Sequence, residues 1–176
     1  MVSNTYRASE ILAGIRHQIK RAPPRTGRLD LNEAIGEVIA IVRGELLKNH
    51  VSVQMRLADE MPPVMADRVQ LQQVMMNLIV NAIEAMAVVS EAERNLLVTT
   101  ESRSAGLLVT VADSGPGIAP EDRTRIFESF MTTKEGGVGI GLSICRSIIE
   151  GHGGRLWADA NQPHGAALHF TVPVKH

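Results

Sequence analysis

Residues 67–86, DRVQLQQVMMNLIVNAIEAM, constrain the fold more than any other stretch, because they run about five helical turns without a glycine or proline. Asp67 is a good N-cap, and Gln70 follows at capping-box spacing. At roughly 100° per residue, Leu71, Val74, Met75, Leu78, Ala82, Ala85 and Met86 share one broad apolar side. Gln70, Gln73, Asn77, Asn81 and Glu84 gather in an opposite arc of roughly 80°. A solvated face would favour Glu, Lys and Arg, which form helix better than Asn. Two Asn one turn apart instead offer neutral oxygens for a hard cation and amide donors for phosphate oxygens. A plain polar solvent face is the alternative.

Around this helix the chain reads in order. Residues 4–21 carry an apolar stripe of Ala8, Ile11, Leu12, Ile15 and Ile19, predicting an amphipathic helix that Pro23 and Pro24 stop. A lone helix of that length is marginal in water, so the stripe is expected to pack on another helix, from a second chain or from its own domain. Residues 22–26 look like a linker, and Arg28–Leu31 like a short strand. Asn32 is expected to cap a helix to about Lys48, with Ala34, Ile35, Val38, Ile39, Ile41, Val42 and Leu46 as its apolar side. VSVQMRL (51–57) alternates as a half-buried strand, and VMA (64–66) is a brief extended piece.

Two strands are expected at Leu96–Glu101 and Leu107–Ala112, joined by a turn at Arg103–Gly106. The stretch Ala119–Gly137 is long, with one short helical possibility at Pro120–Phe127, and loops of that length inside a domain are usually functional lids or disordered. A helix over Gly139–Glu150 follows, with His152 as a turn residue at its exit and Cys145 as a buried small side chain within it. Strands at Arg155–Ala158 and Ala167–Val174, around a turn at Asn161–Gly165, complete an α+β fold. The order implies a two-layer α/β sandwich: a mixed, mainly antiparallel sheet with helices on one face.

Composition narrows the function classes. A net charge of −1 argues against a nucleic-acid footprint, and the single Cys excludes an internal disulfide. No apolar run approaches the roughly 20 residues needed to cross a bilayer, so no membrane contact is expected from this chain and a cytoplasmic setting is. Aromatic residues make up only 3% of the chain, yet Phe127 and Phe130 both fall in the long loop-like stretch. They either fasten that stretch to the body or to a partner helix, or serve as core.

Four local signals stand in order: NLIVNAIEA (77–85), DSGPGI (113–118), IFESF (126–130) and GGVGIGLS (136–143). Together they resemble the N box, the first glycine box, the F box and the second glycine box of the catalytic, ATP-binding domain of sensor histidine kinases. That domain belongs to the wider superfamily of type II topoisomerases and MutL. The run IFESFMTTKEGGVGIGLSICRSIIEGHGGRLW is most similar to nitrogen-regulation and oxygen-sensing kinases. The resemblance covers residues 28–174 and implies a Bergerat-type ATP-binding fold with three helices on one face of the sheet. It also implies an ATP–Mg²⁺ cofactor pair.

Asp113 ends a strand, where its carboxylate can accept the exocyclic amino group of adenine; guanine carries a carbonyl at that position. A cap or turn former is the competing reading. Gly115 and Gly117 permit close backbone approach and positive φ, so a base can lie against main chain. Gly137, Gly139 and Gly141 precede a helix whose free N–H groups and dipole suit a triphosphate. The spacing fits neither the dinucleotide fingerprint nor a P-loop.

By resemblance, Asn81 coordinates the Mg²⁺ that bridges the phosphates, and Asn77 holds a metal-bound water or phosphate. Ile118, Val138, Ile140 and Leu142 line the site within the same boxes, and Glu84 is either a supporting contact or solvent-exposed. Lys134 can reach the terminal phosphates as a point charge, with Thr132 and Thr133 as hydroxyl donors and Phe130 beside them. A polar mobile loop is the alternative for these. Asn77, Asn81 and Lys134 are the expected catalytic residues.

The superfamily's ATPases place a Glu one turn before the metal-binding Asn to activate water; here that position is Asn77, which is no general base. Delivery of phosphate to another acceptor is therefore expected rather than hydrolysis. Histidine kinases carry the acceptor His on a dimerisation hairpin, in a motif that nothing here matches; His17 lacks the acidic neighbour and the Pro. The resemblance thus divides the chain into a remnant second hairpin helix (1–22), a linker (23–27) and a catalytic domain (28–176). Its partners are the kinase's own phosphoacceptor hairpin, as a homodimer when full length, and a response-regulator receiver domain. An ATP-gated interaction module or a conformational ATPase is the alternative.

Overall fold

The computed structural model describes residues 25–89, 93–129 and 139–174. The first strand, β1 (Thr26–Leu29), pairs antiparallel with β3 (Val64–Asp67) as a two-stranded ribbon. Its start at Thr26 takes residues 26 and 27, expected as linker, into regular structure. Helix α1 (Leu31–Lys48) and strand β2 (Val51–Arg56) lie between these strands in the chain. Helix α2 (Arg68–Ala87) follows β3 directly, and then come β4 (Arg94–Arg103) and β5 (Gly106–Asp113). A single 3-10 turn (Arg125–Phe127), helix α3 (Gly141–Gly151), β6 (Leu156–Ala160) and β7 (Ala166–Val172) complete the order.

The main sheet runs β2-β4-β5-β7-β6, with β2 parallel to β4 and every other neighbour antiparallel. This is the expected mixed, mainly antiparallel sheet, with three helices packed on one face. β5 sits at its centre under α2, and seven of its eight residues are buried. On the opposite face Trp157 stacks on His169, ring centroids 5.2 Å apart, and donates from Nε1 to Asp159 at 3.1 Å.

Several expectations give way to tertiary context. Asp30, not Asn32, caps α1, its Oδ1 accepting the Glu33 N–H at 3.1 Å. Asn32 is engaged elsewhere, donating to the Ala58 carbonyl at 2.8 Å and accepting from the Thr100 hydroxyl at 2.9 Å, which pins α1 to β4. Ile41 is 64% exposed although placed on the apolar side, because it lies about 100° round the helix from Val42, beyond what the sheet covers. Strand β2 is not half-buried. It is an edge strand, bonded on one side only, and Val51 alone is buried. The possible helix at Pro120–Phe127 shrinks to turns and the 3-10 segment, with Phe127 in the core.

Candidate functional site

The polar strip of α2 is not a solvent face. Leu71, Val74, Met75, Leu78, Ala82 and Met86 are buried as the periodicity predicts, but so are Gln73 and Asn77. Gln70, Asn81, Glu84 and Ala85 are half-buried. Amides buried this way are costly unless they find partners. Asn77 finds one on α3, its Nδ2 lying 3.5 Å from the Cys145 sulfur.

That contact is one of several that set how α3 lies on α2. At the exit of α3, His152 Nε2 accepts the Asp67 N–H at 3.0 Å, while its Nδ1 donates to the Ile148 carbonyl at 2.8 Å. His152 is therefore a clamp between two helices rather than a mere turn residue. Further along, the Cys145 sulfur approaches the Val74 carbonyl at 4.0 Å. Positions climb on one helix as they fall on the other, so the two run antiparallel. Carried one turn onward, this register sets the Gly141 end of α3 beside the Leu78–Asn81 turn.

Helices α1 and α2 both begin with an Asp side chain on the first-turn N–H groups. Helix α3 begins at Ile140, which offers no side-chain cap. Among the described residues its positive dipole end thus meets no capping side chain, a condition that suits an anion. Gly139 enters it at φ 66°, a conformation that glycine adopts without strain.

Asp113 closes the other end of the strip. It is 3% exposed, and its Oδ1 accepts the Gly115 N–H at 2.8 Å and the Ala166 N–H at 3.3 Å. Among the described residues no donor reaches Oδ2. Burial pushes the carboxyl above its ordinary range, and the two N–H donors draw it partly back.

The glycine turn that follows sits directly on α2. A Cβ on Gly115 would stand 2.9 Å from Asp113 Oδ1 and 3.3 Å from the Ala85 backbone. Gly117 is at φ 82°, against Gly165. Ser114 pins the turn to the head of β4, accepting from the Asn95 N–H at 2.9 Å and donating to the Glu93 carbonyl at 2.8 Å. Ile118 packs on the core.

Positions 77, 81 and 85 share one helix face at four-residue spacing. Asn77 touches α3 and Ala85 touches the Asp113 turn, so Asn81 stands between the two glycine elements. Asn77 and Asn81 thus lie along α2 between the Cys145 contact with α3 and the Asp113–Gly115 turn. Phe130, Thr132, Thr133, Lys134, Gly137 and Val138 lie outside the described residues.

One part of the site had no sequence signal beyond its turn composition. The β6–β7 turn reaches back to the aspartate: Asn161 Nδ2 donates to the Asp113 carbonyl at 2.8 Å and His164 Nδ1 to the Ser114 carbonyl at 3.1 Å. A Cβ on Gly165 would overlap the Asp113 carbonyl oxygen.

Residues 66–176 match the family described as histidine kinase-, DNA gyrase B-, and HSP90-like ATPases. The chain belongs to that family. It is similar to the sensor protein FixL of Bradyrhizobium diazoefficiens, 39% identical over 170 residues, which cover 96% of this chain and 33% of FixL. It is also similar to the catalytic domain of the histidine kinase ThkA (37% identity, TM-score 0.75, 85% of this chain and 95% of that one). A structure of ThkA in complex with response regulator protein TrrA matches 97% of this chain and 49% of that one, at 31% identity and TM-score 0.76. The chain thus spans about a third of the length of FixL.

The donor set of this family member fits a nucleotide better than a free-standing metal centre. Among the described residues no three His, Cys, Asp or Glu side chains come together to hold an ion. A magnesium ion here would take Asn81 as its protein ligand and draw the rest from phosphate and water, the usual habit of that cation. No helix among the described residues is long and apolar enough to cross a membrane.

Proposed function

We propose that this chain binds ATP with Mg²⁺ and donates the γ-phosphoryl group to a histidine on a dimerisation hairpin, for relay to a response-regulator aspartate. One observation carries the reading. Asp113 has one carboxylate oxygen tied to two backbone N–H groups and the other met by no donor among the described residues, on a glycine turn seated against the Ala85 turn of α2. A carboxylate so placed accepts the 6-amino group of adenine and repels the carbonyl of guanine. The flush glycine turn admits the plane of the base.

The remaining roles follow from position. Asn81 holds the metal, Asn77 stands behind it, and the uncapped start of α3 at Ile140 and Gly141 receives phosphate oxygens. Lys134, Thr132, Thr133 and Phe130 would complete the cradle from the segment ahead of α3, with Gly137 and Val138 beside them. Magnesium, when bound, neutralises charge developing on the transferring phosphoryl group. Asn77 cannot act as a general base, which supports transfer to an acceptor side chain over transfer to water. Residues 1–22 serve as the second helix of the dimerisation hairpin, joined by a linker that ends where β1 begins at Thr26, the full-length protein pairing as a homodimer in the cytoplasm. The ThkA complex with a response regulator supports a receiver domain as the downstream partner.

The test is a titration with a fluorescent ATP analogue, with and without Mg²⁺, against GTP as control. Saturable binding that Mg²⁺ strengthens and GTP fails to displace is expected. With labelled ATP the chain alone should stay unlabelled, and adding a hairpin that bears the acceptor His should restore transfer. Displacement by GTP as readily as by ATP would defeat the reading.

A further inference from the structure

We infer that Asn161 is a positioning residue for adenine recognition, acting through Asp113. The inference rests on the adenine-binding reading given above. Asp113 is the last residue of β5, and the β5–β7 ladder ends one residue earlier, at Ala112 opposite Ala167. On the β7 side its carbonyl therefore has no strand partner, and the Asn161 amide supplies the missing donor at 2.8 Å.

The orientation of that amide is determined by its neighbours. A carbonyl can only accept and a backbone N–H can only donate. Nδ2 must therefore face Asp113, while Oδ1 accepts the Gln162 N–H at 3.0 Å. The Asn161 N–H closes the turn onto the Gly165 carbonyl at 3.0 Å. Gly165 is then wedged against the Asp113 carbonyl, and the next residue, Ala166, donates its N–H to Asp113 Oδ1.

The same short turn thus grips Asp113 twice, at the main chain through Asn161 and at the side chain through Ala166. With Oδ1 held, rotation of the carboxylate is suppressed and Oδ2 keeps one direction. Releasing the Asn161 end lets the peptide at 113 tilt and the carboxylate with it. The loss falls on the contact with the exocyclic amino group, and the rest of the nucleotide is untouched.

The experiment compares ATP with purine riboside triphosphate, the same nucleotide without its 6-amino group, by competition against a fluorescent analogue on the full chain. The unmodified chain is expected to prefer ATP. Asn161→Ala and Asn161→Asp should each cut that preference roughly 3- to 10-fold, the value of one hydrogen bond, while affinity for the amino-free analogue holds. Asn161→Asp keeps the acceptor for the Gln162 N–H but puts a charged acceptor where the donor faced the Asp113 carbonyl, so it carries the test, read as the ratio of the two affinities, if the alanine variant melts early. Equal weakening of both nucleotides, or an undiminished preference in Asn161→Asp, overturns the inference while leaving ATP binding intact. An unmodified chain that does not distinguish the two nucleotides overturns the adenine reading itself, and the inference with it.

Discussion

The two ends of the site are built by different means. The proposed base end, around Asp113, is assembled from residues far apart in the chain, with Asn161, Gly165 and Ala166 all closing on one carboxylate and its carbonyl. The proposed phosphate end rests mainly on one local feature, the glycine entry into α3 at Ile140, where the cap residue makes no side-chain hydrogen bond, with Asn81 supplied from α2. The contrast separates two demands of recognition. Telling adenine from guanine needs a donor–acceptor pattern held within a few tenths of an ångström, which tertiary bracing provides. Receiving a triphosphate needs exposed N–H groups and a favourable dipole, which a helix start provides by itself.

The largest effect expected is at the brace. Gly165→Ala puts a Cβ into the Asp113 carbonyl at φ 107°, where a side chain is strained in any case. A loss of about 3–5 kcal/mol in denaturant unfolding is expected, with nucleotide binding lost as well. Near-normal stability would mean that the base end is looser than its contacts imply. At the phosphate end, Asn81→Ala should leave the fold intact and lower transfer to a supplied hairpin by roughly 100-fold, as measured by phosphohistidine formation. Unchanged transfer would remove Asn81 from the metal.

Asp113→Asn divides binding from stability. It should weaken ATP binding about tenfold, since an acceptor facing the 6-amino group becomes an amide. The folded apo chain should gain about 1 kcal/mol, because a buried, partly unpaired carboxylate is replaced by a neutral group that still accepts both N–H bonds. The pH dependence has a definite sign. Burial raises the folded carboxyl above its ordinary 3.8, so the folded form binds the proton more tightly than the unfolded one. This group's contribution to stability therefore grows as pH falls through the interval between the raised value and 3.8, and is lost as pH rises through it. ATP affinity runs the other way, failing in acid as the acceptor is protonated, and the Asn variant should flatten both trends. The smallest effect is at the helix clamp: His152→Ala should cost about 1–2 kcal/mol in a thermal melt by orphaning the Asp67 N–H.

What could be read from residues alone follows the same division. The apolar side of α2, its Asp67 cap, the strand ending at Asp113 and the glycine-led helix are local patterns, and local patterns survive without knowledge of the fold. Asp30 displaced Asn32 as a cap because Asn32 was claimed by Thr100 and Ala58, partners no window of sequence reveals. Strand β2 has the alternation of a half-buried strand, yet an edge position leaves it exposed. The polar strip of α2 was legible as a strip, whereas its burial depended on where α3 lies. Asn161 gave no sign of its role because its partner is 48 residues away.

Trp157, the only tryptophan of the chain, stands with its stacked His169 on the sheet face turned from the helices. Burial holds His169 below its usual protonation range, and Thr110 binds its Nδ1 at 2.8 Å. An imidazolium quenches a neighbouring indole more than a neutral imidazole does, so the intrinsic emission should stay bright through neutral pH and dim only in acid. With the base at the proposed Asp113 site, any change on adding nucleotide travels through the strands to the indole. The molecule carries its own optical gauge of whether the sheet feels what happens on the helical side.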